Sequence, residues 1–250
     1  MACDELTLIL QKEETNRTMH DNHRVIRTKN FVADAAAFIL EHARKALEER
    51  NEFRIALSGG NTPAPVYARI AAEVHDLPWD RIRFTFGDER CVPPDDSQSN
   101  FRMARENLFV PAGVPDKSIM RMRGEIDPQI AAQEYEDQLH AIAAGRGEPI
   151  YQHDLILLGL GDDGHTASLF PDTAALEEMT RRVVANFVPK LDAWRLTFTF
   201  PLINHARQIL FLVGASKSPQ LIERVLAGDL QFPAARVNPS AGEVTWMIAD

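Results

Sequence analysis

Short β-branched or aromatic runs of about five residues alternate with longer stretches of helical spacing along most of this chain, a pattern that admits few folds. Strands separated by helices cannot pair as hairpins. They return in parallel, with helices covering both faces of an open sheet. The predicted strands are Phe53–Leu57, Ile82–Phe86, Asp154–Leu158, Arg195–Phe200, Ile209–Val213 and Val244–Ile248. Helices are predicted at Phe31–Arg50, Pro63–Val74, around Phe101–Leu108, at Asp127–Ala144 and from about Ser216 to Leu226. In the first of these, Val32, Ala35, Ala36, Ile39, Leu40, Ala43 and Leu47 share one face. The expected fold class is α/β: a three-layer αβα arrangement with a mostly parallel, open, Rossmann-like sheet. At 250 residues, with no linker or internal repeat, the chain is expected to form a single domain over 1–250.

Ligands of such sheets bind at the carboxyl ends of the strands, so the informative loops are those that follow strands. Four carry unusual residues. Ser58-Gly59-Gly60-Asn61-Thr62 joins small polar side chains to two glycines, with Thr62 as expected helix cap and Pro63 in the first turn. Free amides there suit an anionic oxygen cluster, although a plain βα turn has the same composition. After Phe86, Asp88, Glu89 and Arg90 offer two carboxylates and a guanidinium able to fork onto phosphate or sugar oxygens; the alternative is a surface ion pair. A polar loop with Pro93, Pro94, Asp95 and Asp96 follows.

The third loop, Gly159-Leu160-Gly161-Asp162-Asp163-Gly164-His165, places a histidine beside two acids, expected at the head of a short helix. A histidine so placed is a candidate general base, against the alternative of a solvated loop residue. The fourth, Gly214-Ala215-Ser216-Lys217, puts a lysine at a helix start, where it opposes the helix dipole. That placement points to an anion-binding role, with a snorkelling surface lysine as the alternative.

Other readings of these loops fail on physical grounds. Gly159, Gly161 and Gly164 match G-x-G-x-x-G. Asp162 and Asp163 would nevertheless repel a pyrophosphate, and Pro171 removes the long helix that such a site needs. Ser58 is no nucleophile elbow, because Pro63 starts the helix too late. A metal held by Asp162, Asp163 and His165 lacks the support of an HExxH or a cysteine pair.

The net charge of −9 disfavours nucleic acid and anionic membranes as partners. Any anionic ligand must be held by a local cluster. No apolar run reaches the roughly 20 residues of a membrane span. Cys3 and Cys91 are too few for a disulfide framework, which suggests a reducing cytoplasm. The acidic Met1–Glu5 start and the short Leu6–Leu10 run do not fit a signal peptide.

Taken together, Ala56–Pro63, Gly87–Pro93, Ser99-Asn100, Gly159–Pro171 and Gly214–Lys217 resemble, in order and spacing, the motif set of the 6-phosphogluconolactonases. The resemblance runs from about Phe31 to Trp246 and is most specific at Gly159–Pro171. It implies the fold of the glucosamine-6-phosphate deaminase-like superfamily and hydrolysis of 6-phospho-D-glucono-1,5-lactone in the oxidative pentose phosphate pathway. It implies no metal or organic cofactor and no obligate protein partner. The partner is a small sugar-phosphate lactone.

Under that resemblance His165 takes a proton from water, Asp163 or Asp162 orients it, and a glycine loop receives the oxyanion. The phosphate and sugar would be held by Ser58, Gly59, Gly60, Asn61, Thr62, Asp88, Arg90 and Lys217, with Arg195 a further candidate. Two rivals stand beside it. One is a sugar-phosphate isomerase or deaminase of the same fold, using a carboxylate such as Asp88 on a carbon-bound proton. The other is a non-catalytic sugar-phosphate sensor, although no basic helix-turn-helix accompanies it.

Overall fold

The computed structural model describes residues 22–74 and 76–250; Cys3, the acidic start and the Leu6–Leu10 run lie outside them. The strands are β1 (His23–Thr28), β2 (Phe53–Leu57), β3 (Ile82–Phe86), β4 (Asp88–Arg90), β5 (Leu155–Gly159), β6 (Val183–Val188), β7 (Ala193–Phe198), β8 (Gln208–Val213) and β9 (Glu243–Ala249). Helices are α1 (Phe31–Arg50), α2 (Ala64–Glu73), α3 (Asn100–Ala104, continued by a π turn over Arg105–Phe109), α4 (Pro128–Ala144), α5 (Phe200–Ile203) and α6 (Pro219–Leu226). Six strands form one sheet in the order β1-β9-β8-β5-β2-β3, and its pairings are all parallel. The expected α/β class and parallel sheet are therefore present.

The central strands carry apolar residues on both faces, as a sheet covered on both sides requires. In β5, Leu155 and Leu157 point to a core with α1, α2 and α3, whereas Ile156 and Leu158 point to a second core with α4 and α6. β8 divides likewise, Leu210 and Leu212 against Ile209, Phe211 and Val213. Helix starts follow from local chemistry: Asp127 accepts from the amides of Gln129 and Ile130 ahead of Pro128, and Ser218 accepts from Leu221 ahead of Pro219.

Four expectations are corrected. Asp88–Arg90, read as the start of a loop, is β4. It pairs antiparallel with β7, and β7 with β6, in a separate three-stranded sheet on the second core. The strand expected at Arg195–Phe200 is thus β7 of this small sheet, and Phe200 already begins α5. No helix starts at His165; the segment is a tight turn closed by a bridge between Thr166 and Leu169. Thr62 does not cap α2 either: Pro63 occupies the N-cap position, with no side-chain cap bond.

This topology creates a crevice. From β2 the chain moves outward to β3, then returns past β2 to β5, so the loops after β2 and β5 diverge to opposite faces. The two strands pair only at Ile55–Leu155 and Ala56–Ile156.

On the β8–β9 side, Trp246 is 1% exposed and stacks on Phe211 with centroids 3.7 Å apart. Trp246→Ala is expected to cost about 3–5 kcal/mol through cavity formation, read as a lower urea midpoint; an unchanged midpoint would show that the site collapses without loss.

Candidate functional site

The loop after β2 is fixed from beneath by a buried tyrosine. The Tyr67 hydroxyl accepts from the Ser58 amide at 3.1 Å and donates to the Ser58 carbonyl at 2.9 Å. Burial raises the Tyr67 pKa far above its ordinary value, so the hydroxyl keeps the proton it donates. Gly59 admits the Asn100 side chain, whose Oδ1 would lie 1.8 Å from any Cβ added there. Gly60, at φ 93°, turns the chain in the left-handed region. The amides of Gly59, Gly60, Asn61 and Thr62 meet no acceptor among the described residues, and Asn61 is exposed. The Thr62 Oγ1 lies 3.2 Å from the Cβ position of Gly214, which brings the loops after β2 and β8 together.

β4 ties this loop to the histidine loop. The buried Asp88 carboxylate accepts from Asn100 Nδ2 at 3.2 Å on one oxygen and from Ser168 Oγ at 2.7 Å on the other. Glu89, 2% exposed, accepts from the amides of Arg90, Asn100 and Phe101 and so anchors the start of α3. Burial raises its pKa despite these amides.

Arg90 and Arg195 are directly opposite in the β4–β7 register, and Arg195 is opposite Asn186 in β6. Opposite residues share a face. Asn186 donates to the Ser168 carbonyl and Thr197 accepts from the Ser168 amide, so this is the face turned to the 160–170 loop. Among the described residues neither arginine has a carboxylate within ion-pair distance. Arg90 instead donates to the Gln98 carbonyl, and Arg195 to that of Trp194. Burial, then the Arg90 guanidinium, lowers the Arg195 pKa. Three buried polar atoms here, Ser58 Oγ, Asn100 Oδ1 and Arg90 Nε, have no hydrogen-bond partner among the described residues.

In the histidine loop, Asp163 Oδ1 lies 2.5 Å from His165 Nδ1, and the ring stacks on Phe170 with centroids 3.9 Å apart. Lys190, from the β6–β7 hairpin, binds the other Asp163 oxygen. Burial alone would raise the Asp163 pKa, but the hydrogen bonds from His165 and Lys190 outweigh it and hold the carboxyl well below its usual range. Asp162 faces elsewhere, accepting from Lys217 Nζ at 2.7 Å, which lowers its pKa. Of the two acids that the sequence left open, Asp163 contacts the imidazole. Gly164, at φ 75°, packs so closely on Phe232 that a Cβ would fall 2.3 Å from its ring. Among the described residues no group of three or more His, Cys, Asp or Glu is arranged to hold a metal ion.

Lys190, Ser168 and Asn100 were missed as site residues because their partners are distant in sequence. The valine-rich run Val183–Val188 is a sign of the strand that precedes Lys190 in the hairpin.

The glycine loop after β2, the opposed Arg90 and Arg195 and the Asp163-bound His165 all belong to segments at or beside the carboxyl ends of the strands. The family model for glucosamine-6-phosphate isomerases/6-phosphogluconolactonase matches residues 27–246. The chain belongs to this family. A 6-phosphogluconolactonase of Synechocystis is 39% identical over 228 residues, covering 90% of this chain and 93% of the relative. Solved structures agree: the 6-phosphogluconolactonase of Thermotoga maritima superposes with TM-score 0.80 at 28% identity, covering 91% of this chain and 100% of that one. That of Trypanosoma brucei gives 0.78 at 30%, covering 91% and 95%. The fold is that of the glucosamine-6-phosphate isomerase/6-phosphogluconolactonase family.

A Cβ at Gly161 would lie 2.0 Å from His165 Nδ1, against a side chain that can swing away. Gly161→Ala is therefore expected to leave the thermal midpoint nearly unchanged while breaking the His165–Asp163 contact, seen as altered imidazole nitrogen shifts by NMR. Unaltered shifts would show that the backbone yields instead.

Proposed function

We propose that this chain hydrolyses 6-phosphogluconolactone to 6-phosphogluconate, the lactone step of the pentose phosphate pathway, with His165 as the base that activates water. The observation that carries the mechanism is the 2.5 Å contact between Asp163 and His165 Nδ1. A carboxylate accepts only, so Nδ1 bears the hydrogen and the neutral ring presents a bare Nε2. Water gives its proton to Nε2 as its oxygen bonds to the lactone carbonyl carbon. The carbonyl π pair moves onto oxygen, where amides of a glycine loop stabilise it, a contribution of several kcal/mol when preorganised. The oxyanion then re-forms the carbonyl and breaks the bond to the ring oxygen, which takes the proton from Nε2. Asp163 stabilises the imidazolium between these two transfers.

The phosphate end is assigned to Arg90, Arg195, Lys217 and the Ser58–Thr62 loop. Two guanidiniums placed side by side with no carboxylate between them favour a dianion, and the unbonded amides of Gly59–Thr62 add donors. Lys217 is held by Asp162, whose side chain is 91% exposed, and so exchanges readily for a phosphate. Held there, the phosphate positions the ring over Nε2. The cytoplasm is the assigned location, where the free thiol of Cys91 stays reduced. Among the described residues no helix is long and apolar enough to cross a membrane.

The base is tested with freshly generated lactone, following acid release above spontaneous hydrolysis. His165→Ala is expected to fold and to lose about 10²–10⁴-fold in kcat; wild-type rates in that variant would move the base elsewhere. The phosphate end is tested separately. Arg90→Ala and Lys217→Ala should each lower kcat/KM for the phosphorylated lactone about tenfold or more and leave glucono-1,5-lactone hydrolysis nearly unchanged. Equal losses on both substrates would refute the anchoring role.

A further inference from the structure

We propose that Lys190 is a positioning residue that seats Asp163 against His165 and whose charge opposes protonation of the imidazole. The inference rests on His165 being the base. Lys190 lies 27 residues from Asp163, in the turn of the β6–β7 hairpin, where Asp192 at φ 46° reverses the chain. Its ammonium engages both supports of the imidazole. It binds Asp163 Oδ2 while His165 takes Oδ1, and it sits 5.0 Å over the Phe170 ring that stacks on His165. A carboxylate bonded on both oxygens cannot rotate away from Nδ1.

The electrostatic consequence follows from the charges gathered around the imidazole. Its own loop supplies Asp163 and Asp162; the hairpin supplies Lys190, and the segment after β8 supplies Lys217. Phe232, packed on Gly164, carries Arg224 on its ring, and Arg224 is already paired with Asp229. Two carboxylates are thus matched by two ammoniums. A lone carboxylate beside imidazole favours the imidazolium, and a cation on the same carboxylate opposes that tendency. Without Lys190 the site carries one uncompensated negative charge, and His165 holds its proton to higher pH.

Lys190→Met keeps the apolar stem over Phe170 and removes the charge; Lys190→Arg keeps the charge. The His165 imidazole pKa is read by NMR titration of the free protein, and the acid limb of kcat/KM is followed on 6-phosphogluconolactone. Because Lys190 is half exposed, the Met variant is expected to raise the His165 pKa by roughly half a unit, an effect that shrinks with added salt. The acid limb should move up equally, so that activity below it falls about threefold; Lys190→Arg should restore both. An unchanged His165 pKa in the Met variant, or an Arg variant shifted as far as Met, overturns the proposal. A raised pKa with an unmoved acid limb supports the Lys190 role and removes His165 as base. Should Lys190→Met fail to fold, Lys190→Gln is judged by the same titration.

Discussion

The Asp88 carboxylate is the joint on which the candidate site depends. Its two oxygens reach Asn100, which fills the space over Gly59, and Ser168, which lies in the loop carrying His165. The loops after β2 and β5 start on opposite sides of a switch point, and no backbone ladder connects them beyond Ala56. One buried side chain from β4 therefore sets their separation. Burying it is tolerable because both oxygens are bonded; losing either donor would leave an acceptor unpaired at a cost of about 1–3 kcal/mol. The small antiparallel sheet exists at this place for the same reason. It carries Asp88, Arg90, Arg195, Thr197 and Asn186 on one face and presents them to a single loop.

How much of this was legible in the sequence depended on how far apart the partners lie. The central strands were readable because a sheet buried on both faces needs uninterrupted apolar runs, as in Leu155–Gly159 and Gln208–Val213. The loops were readable because their glycines and charges follow those runs directly. β4 was not: three residues, Asp88, Glu89 and Arg90, carry no apolar period, and they are a strand only because β7 pairs with them from more than a hundred residues away. The turn at His165 was misread for the opposite reason. Its local composition suits a helix start, but the loop is closed by the Gly161 amide on the His165 carbonyl and by Gly164 against Phe232. The choice between Asp162 and Asp163 is likewise tertiary. Adjacent acids are equivalent on paper, and Lys217 and Lys190 separate them.

Electrostatics explains how an acidic chain offers a place for an anion. The overall charge of −9 works against anion capture at long range, but salt screens it within about 8–10 Å. Inside that distance the arrangement is local: Arg90 beside Arg195 with no carboxylate paired to either among the described residues, and Lys217 paired with an exposed aspartate. Placing like charges together costs stability in the free protein. Burial and the Arg90 guanidinium both lower the Arg195 pKa, and a bound dianion relieves that repulsion. The facing guanidiniums thus suit a ligand of higher charge over a neutral sugar.

The same accounting of partners bears on the choice between ester hydrolysis and carbon-acid chemistry within this family. Removing a proton from carbon by the rival route needs a carboxylate with a free oxygen at the crevice. Asp88 has both oxygens engaged by Asn100 and Ser168, Glu89 is turned into the start of α3, and Asp163 is divided between His165 and Lys190. Asp162 projects into solvent with Lys217. The Nε2 of His165, partly exposed, has no hydrogen-bond partner among the described residues, while the carboxylate behind the ring holds Nδ1. A bare imidazole nitrogen is suited to accept a proton from water attacking an activated ester, and is poorly matched to the far weaker acidity of a sugar carbon. A carboxylate anchor, a stacked phenyl ring and a bare nitrogen therefore favour the lactone as substrate.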